Sequence, residues 1–162
     1  MVQMYVEAGA LDINLKRAAK CIEEAAQNGA DIALLPEVMD LGWTHPSALK
    51  LAYPVPGDMT FNFLAEAARK NKIFVCAGIV EKEGDKIYNT AVLIDNQGKL
   101  LIKHRKLNLN SQVLSSSPGE KLLPYLPKIP PHFLNSVVPS MVLLHPTSAA
   151  FPDRLPSCPY LL

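Results

Sequence analysis

A short apolar run that stops at a proline constrains the fold of this chain more than any other feature. The run covers Ile32 to Leu35, Pro36 follows it, and Glu37 comes next. A brief apolar segment bounded in this way is typical of a buried strand in a sheet. Because open α/β sheets bind ligands beyond the carboxyl ends of their strands, Glu37 is a candidate site residue. Judged alone, Glu37 is also compatible with an ordinary solvated loop residue.

The segments around this run predict alternating helices and strands. Leu15, Ala18, Ile22 and Ala25 recur at helical spacing, with Asp12 or Asn14 as the N-cap and Gly29 as the stop. The expected order is a strand at 2–8, this helix, a strand at 32–35, a helix at about 59–70 and an almost continuously apolar strand at 73–80. Such an alternation indicates a layered α/β fold, in which the apolar strand is covered on both faces.

Three strands in succession are predicted to form an antiparallel meander. Gly84-Asp85 and Asn96-Gln97-Gly98 supply turns between strands at 73–80, 87–95 and 99–103. The meander ends in a run of cations, His104-Arg105-Lys106, just beyond a strand. By position Lys106 is a candidate for the same site as Glu37, although a surface lysine in a basic run is the alternative.

Composition excludes several classes of function. The 16 basic and 15 acidic residues nearly balance, so nucleic acid and anionic membranes are not expected as partners. No apolar run approaches the length of a membrane span. Three cysteines without zinc-like spacing and no recognisable signal peptide predict a cytoplasmic protein. No metal site and no cofactor is expected.

Five segments, in order and spacing, give residues 1–112 a family resemblance. Together they resemble the amino-terminal half of the nitrilase superfamily of carbon-nitrogen hydrolases. The segments are Ala30-Asp31-Ile32-Ala33-Leu34-Leu35-Pro36-Glu37, Val75-Cys76-Ala77-Gly78, Tyr88-Asn89-Thr90-Ala91-Val92-Leu93-Ile94, Gly98-Lys99-Leu100-Leu101 and His104-Arg105-Lys106-Leu107.

The resemblance implies both a fold and a chemistry. The fold would be an α-β-β-α sandwich, incomplete here, and the chemistry a Glu-Lys-Cys mechanism acting on a nonpeptide amide, carbamoyl or nitrile substrate. By position, Glu37 matches the general base and Lys106 the triad lysine. Trp43, Thr44 and His45 follow the base in a loop where the family shapes its substrate pocket. A packed or solvated role for His45 is the alternative.

The sequence offers no satisfactory thiol nucleophile. Cys158 lies in the appropriate part of the chain, but Pro156 argues against a preceding central strand and Pro159 has no N–H to donate. Cys76 fits a small core residue in a strand, and Cys21 fits the flank of a helix. No nucleophile is therefore identified.

Residues 113–162 read as a separate Pro/Ser-rich tail of irregular structure. They hold ten of the 14 prolines and two acids, of which Glu120 is not a convincing second family glutamate. We expect the tail to arise from a shifted frame, a retained intron or alternative splicing. The hydrolase would then be truncated before its nucleophile and inactive alone. The alternative is a noncatalytic chain that pairs with a full-length relative. The expected protein partner is either a second copy of the chain, in a homo-oligomer, or that full-length relative.

Overall fold

A computed structural model describes residues 1–42 and 45–106, which form a mixed α/β fold. The predicted α/β class is confirmed. The elements in chain order are α1 (Leu11–Gln27), β1 (Ile32–Leu34), α2 (Ala48–Leu51), α3 (Met59–Asn71), β2 (Phe74–Glu83), β3 (Lys86–Ile94) and β4 (Leu100–Arg105). The predicted tail, residues 113–162, lies outside the described residues.

The four strands form one sheet in the order β1-β2-β3-β4. β1 runs parallel to β2, with Ala33 opposite Val75, and the other two pairings are antiparallel. The predicted meander is therefore present. Its second turn uses Gly98 at φ +82°, where an added Cβ would lie 2.8 Å from the carbonyl oxygen of Ala65 on α3. Glycine is required there both for the backbone conformation and for this close approach.

Both long helices pack on the same face of the sheet. α1 and α3 bury apolar residues at three- and four-residue intervals, including Leu15, Ile22 and Leu64. These residues join one core with alternate residues of the strands, among them Ala77 and Ile79. Because neighbouring side chains of a strand point to opposite faces of the sheet, this core accounts for the burial of every second strand residue.

The other face of the sheet is also buried at its centre. Cys76 on β2 and Leu93 on β3 are opposite one another in register and are each 2% exposed. Residues of both faces of β2 are thus removed from water, as the continuous apolar run predicted.

The structure differs from the sequence-based expectation at the amino end. α1 begins at Leu11 after Ala10, without a side-chain cap, so neither Asp12 nor Asn14 is the N-cap. The side chain of Asn14 instead accepts a hydrogen bond from the Glu7 N–H at 2.9 Å. No strand is assigned to residues 1–8, although the Val2 N–H donates to the Leu34 carbonyl at 2.8 Å.

Within the described ranges, no helix is long and apolar enough to cross a membrane.

Candidate functional site

The turn that carries Glu37 is held against β2 on both sides. The Leu35 N–H donates to the Cys76 carbonyl at 2.8 Å, and the Met39 N–H donates to the Gly78 carbonyl at 2.9 Å. Between these bonds the chain passes so close to the sheet that a Cβ on Gly78 would lie 2.7 Å from the Glu37 Cα. Because Gly78 has no side chain, the backbone at Glu37 can lie this close to the sheet.

The residues after Glu37 form a tight and strained turn. Val38 has a φ of 51°, a left-handed conformation that is costly for a β-branched residue, of order 1–3 kcal/mol. Asp40 braces the turn, because its carboxylate accepts the Val80 N–H at 3.0 and 3.2 Å and the Leu41 N–H at 3.0 Å. The Asn14 side chain donates to the Asp40 carbonyl oxygen at 2.8 Å, which joins α1 to the turn.

Asp40 is fully buried, and this burial raises the pKa of its carboxyl group to about 6. Hydrogen bonds from backbone N–H groups, that of Val80 first, act in the opposite direction because they favour the charged form. A buried titratable group therefore lies in the same turn as Glu37.

The structure brings Glu37 and Lys106 together, as their positions predicted. The Lys106 Nζ donates to the Glu37 Oε1 at 2.7 Å, and the Asn89 Nδ2 donates to the same oxygen at 2.6 Å. The Asn89 carbonyl oxygen also accepts the Lys106 N–H at 2.8 Å. The side chains of Glu37 and Lys106 are 25% and 33% exposed, so the pair is partly shielded and still open to solvent.

A second charged cluster lies on the opposite face of the sheet from the Glu37–Lys106 pair. Glu81 on β2 is 2% exposed in its side chain and binds Lys103 at 2.9 Å and Arg105 at 2.7 Å. The hydroxyl of Thr90 donates to Glu81 at 2.7 Å. Arg105 therefore binds Glu81 and Glu83, whereas Lys106, the next residue, binds Glu37. Within the cationic run predicted at the end of β4, these two residues thus bind different carboxylates, because successive residues of a strand point to opposite faces.

Hydrogen bonding keeps Glu81 charged. Burial acts to raise the pKa of Glu81, but hydrogen bonds from Arg105, Thr90 and Lys103 outweigh it, and the pKa is lowered. Arg105 also lies over the ring of Tyr88, 4.1 Å from its centroid. These contacts link β2 to β4, and both cations of the cluster, Lys103 and Arg105, are bound to Glu81.

The other sequence candidates are placed differently. The His45 Nδ1 lies 3.3 Å from the Ser47 backbone nitrogen and 2.8 Å from the Ser47 Oγ. A Cβ on Gly9 would lie 2.6 Å from the His45 ring, so this histidine is packed locally. Trp43, Thr44, Glu120 and Cys158 lie outside the described residues.

Of the two described cysteines, Cys76 lacks the character of a nucleophile. Burial raises the pKa of Cys76 to about 12, which disfavours the reactive thiolate. Cys21 lies on α1 and packs partly against the core. In the part of the chain that the structure describes, no group of three His, Cys, Asp or Glu side chains is arranged to hold a metal ion.

Three polar residues have contacts that their sequence context did not predict. Asn89 belongs to a quoted motif but contacts Glu37 across 52 positions of sequence, and Asp40 and Glu81 are nearly fully buried. The available signal was a polar side chain within an otherwise apolar strand or turn. A polar residue in such a setting is expected to need a hydrogen-bond partner, but the sequence does not indicate which residue that partner is.

Comparisons with known proteins give a consistent result. The family model for carbon-nitrogen hydrolases matches residues 1–139, a range that runs past residue 112. A nitrilase of Pyrococcus abyssi is 36% identical over 111 residues, which are 67% of this chain and 42% of that protein. An omega-amidase, NIT2-A of Xenopus laevis, is 38% identical over 110 residues, 67% of this chain and 39% of the relative.

A solved structure agrees with these relatives. Nit3 of Saccharomyces cerevisiae, a member of branch 10 of the nitrilase superfamily, superposes with a TM-score of 0.62 and 32% identity. The match covers 75% of this chain and 48% of that one. The chain spans about two fifths of the length of the curated relatives described above.

Proposed function

Because the chain belongs to the carbon-nitrogen hydrolase family, we propose that it carries the base and the cation of an amide-hydrolysing active site. Glu37 is the general base and Lys106 is the electrostatic partner in a Glu-Lys-Cys mechanism. The observation that carries the proposal is the 2.7 Å contact between Lys106 Nζ and Glu37 Oε1, made by residues 69 positions apart. The folded chain brings these two groups together in a partly shielded setting.

The chemistry divides into three roles. A thiol gives its proton to Glu37, and the thiolate attacks the carbonyl or nitrile carbon. The Lys106 ammonium lies beside the developing negative charge and stabilises it, an effect worth up to a few kcal/mol in a dry site. With an amide, the proton on Glu37 passes to the amine nitrogen as the C–N bond breaks, and Glu37 then activates water to release the acyl group from sulfur. The partial exposure of the pair to solvent in this chain reduces the electrostatic gain.

The substrate class follows from the family and from the names of the relatives. A nitrilase and an omega-amidase are among the proteins that match, which favours a small nonpeptide amide, carbamoyl compound or nitrile. Cys76 is not proposed as nucleophile because burial raises its pKa to about 12. We propose no nucleophile among the described residues, and Pro156 and Pro159 argue against Cys158 in that role.

Turnover by the full chain tests the proposal directly. Ammonia release is measured with small amides, carbamoylated amines and nitriles. Glu37→Gln and Lys106→Met should each lower the rate at least about 100-fold, because a base and its charge partner act together. Glu23→Gln and Lys99→Met are matched controls at exposed positions and should leave the rate unchanged. Equal rates in Glu37→Gln and Glu23→Gln would reject the role of Glu37.

A second candidate is a noncatalytic chain that pairs with a full-length relative. The observation that favours it is the burial and raised pKa of Cys76, which make this cysteine unsuited to serve Glu37 as a thiol. Thiol labelling separates the two candidates. A catalytic Cys158 should react unusually fast at neutral pH, and Cys158→Ser should abolish turnover. Slow, equal labelling of the accessible thiols, with no hydrolysis, would favour the noncatalytic chain.

A further inference from the structure

We propose that Asn89 is a positioning residue that fixes the Oε1 oxygen of Glu37 and leaves Oε2 to take up the proton. This inference rests on the proposed role of Glu37 as base. It adds to that role the identity of the reactive oxygen and the residue that selects it.

Two donors converge on the same carboxylate oxygen. The Asn89 Nδ2 lies 2.6 Å and the Lys106 Nζ 2.7 Å from Oε1. Among residues 1–42 and 45–106, no hydrogen bond reaches Oε2. A carboxylate oxygen has two lone-pair sites, so these donors occupy those of Oε1. The unengaged lone pairs of the Glu37 carboxylate are therefore on Oε2.

Asn89 is well placed to hold this geometry. It lies in β3, between β2 and β4, and is opposite Val80 in the register of the sheet. Its carbonyl oxygen accepts the Lys106 N–H at 2.8 Å, while its side chain holds Glu37. Asn89 thus holds the backbone of Lys106 in place and also orients the carboxylate of Glu37.

An amide suits this position for a chemical reason. It donates a hydrogen bond without carrying a charge, so it orients the carboxylate without competing with Lys106 for ion pairing. In the proposed step, Oε2 accepts the proton of a thiol, and the electron pair left on sulfur forms the bond to the amide carbon. As the C–N bond then breaks, the proton on Oε2 passes to the leaving amine nitrogen, which restores the carboxylate.

Infrared spectroscopy tests the positioning without any need for turnover. The full chain is labelled with ¹³C-carboxyl glutamate, and the spectrum of its Glu37→Gln variant is subtracted to isolate Glu37. A carboxylate with unequally bonded oxygens has widely separated antisymmetric and symmetric stretches. Asn89→Leu should bring the two bands closer together, whereas Asn62→Leu, at an exposed position of α3, should not. If Asn89→Leu does not fold, Asn89→Ala replaces it.

A kinetic measurement tests the consequence for catalysis. Asn89→Leu should lower kcat about 10- to 100-fold and leave KM within about twofold, because Asn89 acts through Glu37 rather than on substrate. Rates equal to those of Asn62→Leu, or an unchanged band separation, would overturn the inference. If the unmodified chain shows no turnover, the proposed function fails, and the infrared result alone decides whether Asn89 fixes Oε1.

Discussion

Gly78 is the residue at which the backbone of the Glu37 turn comes closest to the sheet. A methyl group added there would lie 2.7 Å from the Glu37 Cα, and that neighbour is backbone rather than a flexible side chain. We expect Gly78→Ala to lower the free energy of unfolding by about 1–3 kcal/mol, the usual cost of overpacking. It should also shift Glu37 away from Lys106 and reduce any turnover that depends on the pair.

Urea denaturation checks the stability of this variant. Gly84→Ala provides the comparison, because its added methyl meets nothing within 4 Å and only its φ of +58° is unfavourable, about 1 kcal/mol. A Gly78→Ala variant that is no less stable than Gly84→Ala would show that the turn can move without cost.

Asp40 makes the stability of the folded chain fall as pH rises, which is the reverse of the usual effect of a carboxyl group. Burial raises its pKa from 3.8 to about 6 in the folded state, so the folded protein binds a proton that the unfolded chain has already released. Stability from this group is complete below about pH 4 and is lost as pH rises to about 6. The loss amounts to roughly 3 kcal/mol, since each pKa unit corresponds to about 1.4 kcal/mol.

Asp40→Asn isolates this contribution from those of the other carboxyl groups. Its amide oxygen can still accept the Leu41 N–H, but it does not titrate. The stability of the natural chain relative to Asp40→Asn should fall between pH 4 and 6 and then stay constant. Urea midpoints of both proteins across this range provide the measurement, and a constant difference would refute the assignment.

At the scale of elements, Glu81 links β2 to β4 through Arg105 and Lys103. The Glu81 side chain is 2% exposed and that of Arg105 is 29% exposed, so the pair is shielded more than a surface ion pair. We expect Arg105→Met to lower the free energy of unfolding by about 1–3 kcal/mol, because it leaves a buried carboxylate short of a partner. The effect is smaller than for a fully buried pair, since the cation still meets solvent.

Arg69 supplies the matched control on α3. It forms an ion pair with Glu66 at 2.7 Å, but both side chains are 61% exposed. Arg69→Met should therefore cost less than about 0.5 kcal/mol. Thermal or urea unfolding followed by circular dichroism compares the two variants. Equal losses would mean that the burial of Glu81 does not strengthen its link to Arg105.

Helices and strands were predictable from the sequence where the periodicity of apolar residues is strong. The roles of residues whose contacts are distant in sequence were less predictable. The 73–80 apolar run and the turn at Gly98 located the meander, since both signals are local. Asn14 fits an N-cap by sequence, but its partners, the backbone groups of Glu7 and Asp40, come together only in the fold. The same limit applies to the site. Position in the family pattern suggested Glu37 and Lys106, but not Asn89.

At the scale of the whole molecule, Cys76 reports on global unfolding. Its side chain is 2% exposed in the middle of the sheet, and burial raises its pKa to about 12. In a Cys21→Ser/Cys158→Ser background, a thiol probe should label Cys76 only through opening of the sheet. The labelling rate should then rise with urea in parallel with the unfolded fraction. Fast labelling without urea would indicate that the sheet opens locally at Cys76.

The long span between Glu37 and Lys106 also sets an order of events during synthesis of the chain. The carboxylate leaves the ribosome 69 residues ahead of its ammonium partner, whereas β2, β3 and β4 pair through short turns. Contacts between distant positions carry a larger entropic cost of closure than contacts within a hairpin. The Glu37–Lys106 ion pair thus forms only after Lys106 has been translated, and until then the Glu37 carboxylate is without this cation.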